Sequence, residues 1–311
     1  MNLLHKMPLD MGLREVKQYF AREREYLSLL NEKYGSVDEL YYAANRIAFS
    51  IVNDYQRGWY EDNGNYCRIS HLNTEICGNK IDIFANWKKG GFIYNDVIGE
   101  KNFANGKIVI TLTIEADNTP EARSELESTI AHEILHCYQA TLPKVKGVNE
   151  QSMALYGYLL YFYRNAPTDF SQALFFGLYC CYDFEANANV AATWNYVESF
   201  LREKKKFNPT TEDMQEALFH YPKYKAYKTI KEVLIGSNPT DIDKAYITNC
   251  MCQTFSNPIE PQKTERLYNR DTFSPDAFID ANKSIIIKTC EKTLQRMRKN
   301  TTNIIEKSPQ Q

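Results

Sequence analysis

Apolar residues along the first part of the chain recur at helical spacing. Residues 14–30 and 37–57 place them three and four apart, which predicts two amphipathic helices. Ser36 suits the N-cap of the second, and Glu39 completes a capping box three residues later. The period then shortens. Segments 66–72, 76–86, 91–97 and 107–115 show alternation or β-branched content between Gly-Asn, Lys-Gly-Gly and Asn-Gly signals, so they predict strands. In the cleanest of them Ile108, Ile110, Leu112 and Ile114 share one face. Residues 88–91 read as a hairpin turn.

From Asp117 onward helical spacing returns and persists. Thr119 is a good N-cap and Pro120 suits a first helical turn. That helix is predicted to run from 120 to about 142, where Pro143 and Gly147 stop it. Further helices are predicted over 150–164, 169–204, 211–221, 224–236, 241–255 and 275–299. The order is helices, a small sheet, then many helices, which is an α+β architecture. It divides into an N-terminal helical segment (1–60), a core (61–205) and a helical C-terminal region (206–311).

Composition narrows the function classes. With 311 residues, 43% hydrophobic and 24% charged, the chain can bury a sizeable core. A net charge of −2 gives no global attraction to nucleic acid or anionic membrane. No apolar run reaches the ~18 residues of a membrane span. The first twenty residues turn charged too early for a secretory signal, so a cytoplasmic protein is expected. Eight cysteines without a Cys-x-x-Cys pair read as reduced, mostly buried thiols. Cys250-Met251-Cys252 lacks partner ligands for a soft metal. Tyr156, Tyr158, Tyr161 and Tyr163 sit at helical spacing, which favours core packing over a substrate wall.

The chemistry concentrates in His132-Glu133-Ile134-Leu135-His136. Two histidines four apart on a helix project toward one point, as a zinc ion taking imidazole nitrogens at ~2.0–2.1 Å requires. Glu133 is placed to accept a proton from metal-activated water, the physical content of H-E-x-x-H. The expected core stripe of this helix is Leu126, Ile130, Ile134 and Cys137. A catalytic zinc needs a third protein ligand. Gln139 and Leu142 stand where a metzincin has its glycine and third histidine, which excludes that class. Carboxylate candidates are Glu150, Asp169, Asp183, Glu185 and Glu198. Glu185 is preferred because the small residues around it let its helix approach another closely. Asn189, four residues on, shares its face and can hold a zinc-binding histidine through the distal N–H. His220, Tyr179 and Tyr182 are candidates to stabilise an oxyanion.

His-Glu-Ile-Leu-His followed by Glu185 in Phe-Glu-Ala-Asn-Ala-Asn-Val-Ala-Ala resembles the gluzincin metallopeptidases. Its surroundings are similar to the ImmA/IrrE group of bacterial and phage enzymes. The approach Glu125-Leu126-Glu127-Ser128-Thr129-Ile130-Ala131 is similar to SprT-like proteins, which would use a third histidine. The resemblance covers residues 108–192. It implies a zincin-like fold: a small twisted, mostly antiparallel sheet packed on the HExxH helix, followed by a large helical region. It also implies Zn2+ on His132, His136 and Glu185, with Glu133 as general base. Gluzincins of the thermolysin type carry an aspartate where this chain has Asn189. The expected function is zinc-dependent peptide-bond hydrolysis. Its substrate would be a protein or peptide, and strand 107–114 is the expected sheet edge on which it lies. The rival expectation is a non-catalytic zincin-fold structural or interaction protein, for instance of a phage or mobile element.

Overall fold

A computed structural model of the chain describes residues 46, 53, 68–76, 79–88, 100–102, 107–115, 119–141, 150–256, 262 and 264–307. The helix expected over 14–30, the cap at Ser36 and Glu39, and the strand expected over 91–97 lie outside these residues. Arg46 and Asn53, the described positions within 37–57, are both helical.

The sheet is built from β1 (Arg68–Ile76), β2 (Asn79–Lys88), β3 (Glu100–Asn102) and β4 (Lys107–Glu115). Their order is β1-β2-β4-β3. β1 and β2 pair antiparallel, from Arg68↔Trp87 to Ile76↔Asn79, so only two residues join them. β2 and β4 run parallel, with Ile81↔Ile108, Ile83↔Ile110, Ala85↔Leu112 and Trp87↔Ile114 in step. That register keeps apolar positions together, as the period of two demands. β3 pairs antiparallel with Lys107, Ile108 and Val109. The sheet is therefore mixed, with two antiparallel pairs and one parallel pair.

One expectation is corrected in part. β4 is flanked by β2 along its length and covered by β3 over its first three residues, so Lys107, Ile108 and Val109 do not offer the free sheet edge expected over 107–114. Its Ile-Val-Ile start, apolar at consecutive positions, is the pattern of an interior strand. The turn expected at 88–91 lies, beyond Lys88, outside the described residues.

Beyond β4 come α1 (Pro120–Thr141), α2 (Glu150–Asn165), α3 (Asp169–Cys180), α4 (Asp183–Glu203), α5 (Thr211–His220), α6 (Pro222–Gly236) and α7 (Asp241–Cys252). A two-stranded ribbon of β5 (Thr254–Ser256) and β6 (Thr264–Arg266) precedes the long α8 (Pro275–Lys307). The single helix expected over 169–204 is two. The Cys181 amide bonds both Gly177 O and Leu178 O, and Tyr182 N bonds Tyr179 O, which tightens the last turn of α3. Tyr182 O then receives Ala186 N at 3.0 Å and opens α4. Phe255, expected to end α7, lies instead in β5 opposite Glu265.

The chain forms two compact units, each discontinuous in sequence. The first holds α2, α3, α7, the ribbon, and most of α6 and α8. Phe162, Leu174, Phe175, Ile247, Met251 and Ile286 are its buried centre, with the Phe162 and Phe175 rings 5.2 Å apart. Tyr158 is buried and its hydroxyl donates to Ser256 O, whereas Tyr161 is exposed, so the tyrosine-rich helix is only partly a core face. The second unit holds the four-stranded sheet, α1, α5, the end of α8 and most of α4. The boundary within α4 falls between Ala186 and Asn187, so the helix carrying Glu185 continues into this unit. Among the described residues, no helix is long and apolar enough to cross a membrane.

Candidate metal centre

α1 begins where Thr119 O accepts the Arg123 amide and the Ser124 hydroxyl turns back to Pro120 O. One of its faces is buried and strongly polar. Ser124, Glu127, Ser128 and His132 are covered, together with Ile130, Ala131 and Leu135. Of the stripe expected for this helix, the described side chain is Ile130, and it is buried.

α4 answers that face in the antiparallel direction. Lys204 Nζ meets Glu121 at 2.8 Å, Glu203 pairs with Arg123, and Arg202 pairs with Glu127. These three ion pairs join the N-terminal part of α1 to the C-terminal end of α4. Ala186, Ala188, Ala191 and Ala192 are buried on α4, and small side chains allow the close helix approach that the sequence suggested. Glu127 is 1% exposed. Burial pushes its carboxyl above the usual range, and the Arg202 guanidinium opposes that shift.

At the other end of the pair, His132, His136 and Glu185 come together. One ligand atom from each lies within 4.8 Å of the others. His132 is 7% exposed, Glu185 2%, and His136 is half-buried. The two Nε2 atoms are 2.8 Å apart, and the rings stand edge to face at 87°. Ligand atoms at about 2.0–2.2 Å from a tetrahedral ion lie about 3.3–3.6 Å from each other. The observed separations bracket that value, so sub-ångström to ångström side-chain adjustments accommodate an ion. The donor set, two imidazoles and a carboxylate, suits a first-row divalent cation. The buried His132, His136 and Glu185 group can thus hold a metal ion. The same Nε2–Nε2 contact is what two neutral imidazoles make when one donates to the other.

The remaining predicted residues fall into place differently. Glu133 is half-buried on α1, about 100° round the axis from His132, and is not part of the three-residue group. Asn189 is buried one turn after Glu185. Of the rejected carboxylates, Asp169 is exposed in the first turn of α3 and Glu198 is half-buried more than three turns along α4. Tyr179 stacks on Phe176 in α3, and Tyr182 stands three residues before Glu185.

His220 is not brought to the group. It is exposed at the end of α5, stacked on Phe200 with centroids 5.2 Å apart, and its field reaches Glu121. Glu121 is about 16 Å along α1 from His132. Histidine content alone made His220 a candidate, and the register of α5 against α1 and α4 removes it from the chemistry. The sequence signal for the ion pairs that fix that register is a reversed charge pattern on the two helices, Glu121, Arg123 and Glu127 against Lys204, Glu203 and Arg202. No protein-family model matches the chain, and neither a protein of curated function nor a solved structure is significantly similar to it.

Proposed function

We propose that this chain is a zinc-dependent peptide-bond hydrolase in which His132, His136 and Glu185 hold the metal and Glu133 is the general base. The observation that carries the reading is the convergence of the three ligand atoms within 4.8 Å on the helix whose next residue after His132 is a glutamate. A zinc ion held there supplies Lewis acidity, polarising a carbonyl and acidifying water. The Glu133 carboxylate accepts the proton from the attacking water and returns it to the departing amine. The His132 and His136 rings would hold the metal through a ring nitrogen each, and Asn189, one turn from Glu185, would orient a ligand through its amide. Burial of Glu185 and His132 excludes water from the ligand side of the centre and strengthens its electrostatics.

Metal analysis of the purified chain tests the first half: one zinc per chain is expected, lost in Glu185→Ala and in His132→Ala. Glu133→Gln tests the second. It should retain zinc and slow peptide cleavage by about 10²–10⁴-fold. A zinc-loaded protein whose behaviour is indifferent to Glu133→Gln would instead be the non-catalytic structural or interaction protein. A chain that binds no divalent ion would leave the two histidines as a hydrogen-bonded pair and end the proposal.

A further inference from the structure

The helix that carries Glu185 is gripped on its far side as well. Arg296 Nη1 donates to Asn187 Oδ1 at 2.9 Å, and Asn300 Nδ2 donates to Val190 O at 3.2 Å. Arg296 and Asn300 are one turn apart on α8, and Asn187 and Val190 are three residues apart on α4. The two bonds therefore join matching faces over a single turn of each helix. Asn187 follows Glu185 by two residues, which places it about 200° round the helix axis. The clamp acts from behind, while Glu185 meets the histidines in front.

This arrangement has a cost that packing alone does not explain. Asn187 is 5% exposed, and its Nδ2 has no hydrogen-bond partner among the described residues. A buried amide with one unmet donor is less favourable than an apolar side chain of the same shape. Its neighbours Ala186, Ala188, Ala191 and Ala192 pack without any such penalty. Alanines, however, leave the rotation of a helix about its own axis weakly defined. A directional bond defines it, because arginine only donates and its partner must be Oδ1. A rotation of α4 would swing the Glu185 carboxylate away from the point where the two Nε2 atoms converge.

We propose that Arg296 and Asn187 are positioning residues for the metal centre, setting through α4 the angle at which Glu185 meets His132 and His136. This rests on the zinc-site reading above. The test uses the full chain and zinc alone, titrated against a chelating dye, with the visible absorption of the cobalt-loaded protein as a second readout. Arg296→Met and Asn187→Leu should weaken zinc binding on the order of tenfold and alter the cobalt spectrum, as loss of an orienting partner does. Asn187→Asp, which keeps an oxygen facing Arg296, should preserve both. Arg298→Met is the control. It removes a 2.8 Å bond from the same stretch of α8 to the Tyr224 hydroxyl, and should lower thermal stability with zinc affinity unchanged. Folded Arg296→Met protein with wild-type affinity and spectrum overturns the assignment, as do equal losses in the Arg296 and Arg298 variants. If Arg296→Met fails to fold, the contrast between Asn187→Leu and Asn187→Asp decides. Wild-type protein that binds no zinc sinks the metal-site reading itself, and the positioning role with it.

Discussion

Glu127 and His132 lie five residues apart on α1 and are both almost fully buried, one beside an arginine and the other in the candidate metal group. For Glu127 the balance is measurable. Burial raises its carboxyl above the usual range of carboxylates and Arg202 pulls the other way, with burial the larger influence. A carboxyl whose pKa is higher folded than unfolded binds its proton more tightly in the native state. Its contribution to stability is then fully present below the unfolded value of about 4.3 and is lost as pH rises through the folded value. Glu127→Gln keeps the shape and removes the titration. The melting temperature of the wild type relative to this variant should be most favourable near pH 4 and decline toward pH 7. A difference that stays flat or grows with pH would mean that Arg202 outweighs burial.

Among the elements, α3 shows how closely these helices pack. Gly177 is mid-helix, where alanine ordinarily gains about 1 kcal/mol over glycine. A β-carbon here would lie 2.4 Å from Ile286 Cγ2 and 3.1 Å from Ile230 Cγ2. Both neighbours are buried side chains of α8 and α6. Gly177→Ala should therefore destabilise the protein by about 1–3 kcal/mol, read by chemical denaturation. The penalty should shrink when measured in an Ile286→Ala background. Local signals did locate many elements. Pro120 marks the start of α1, and the alternating isoleucines mark β4. The histidine pair and its meeting with Glu185 were legible for the same reason, since one turn of helix and a run of small residues are local properties. What was not legible is pairing. Nothing at Cys181 and Tyr182 breaks a helix on composition, and the parallel partnership of β2 and β4 depends on a crossover of eighteen residues. His220 was misassigned because its distance from His132 is set by how α5 meets α1 and α4, which periodicity does not encode.

At the scale of the whole molecule, two units are threaded by shared helices, and each has its own polar fastening. In the first unit it is Asp243, which is fully buried. Its Oδ2 accepts from Thr240 N at 2.8 Å and from the Thr240 hydroxyl at 2.6 Å, closing the capping box of α7. Its Oδ1 accepts from Thr168, the N-cap residue of α3. One carboxylate thus serves two helix starts. Burial alone would raise its pKa, but the hydroxyls of Thr168 and Thr240 and the Thr240 amide hold it below the usual range. This stabilisation is present above the unfolded value of about 3.9 and is lost as pH falls through the lower, folded one. In the other unit the fastening is the α1–α4 pair, tied by its ion pairs and, on the proposed function, by zinc. A ligand that binds only the folded state stabilises what it joins, by about 4 kcal/mol at a thousandfold excess over its Kd. Hydrogen exchange resolves where that stabilisation goes, because opening free energies differ from region to region. Zinc added to chelator-treated protein should slow exchange of the amides of α1 and α4 around His132, His136 and Glu185. The starts of α3 and α7 should change little. Asp243→Ala leaves both N-cap threonines in place but removes the carboxylate they share, so it should do the converse, speeding exchange at those two starts with zinc protection of α1 intact. Zinc protection spread evenly over α3 and α7 would show instead that the two fastenings belong to one cooperative unit.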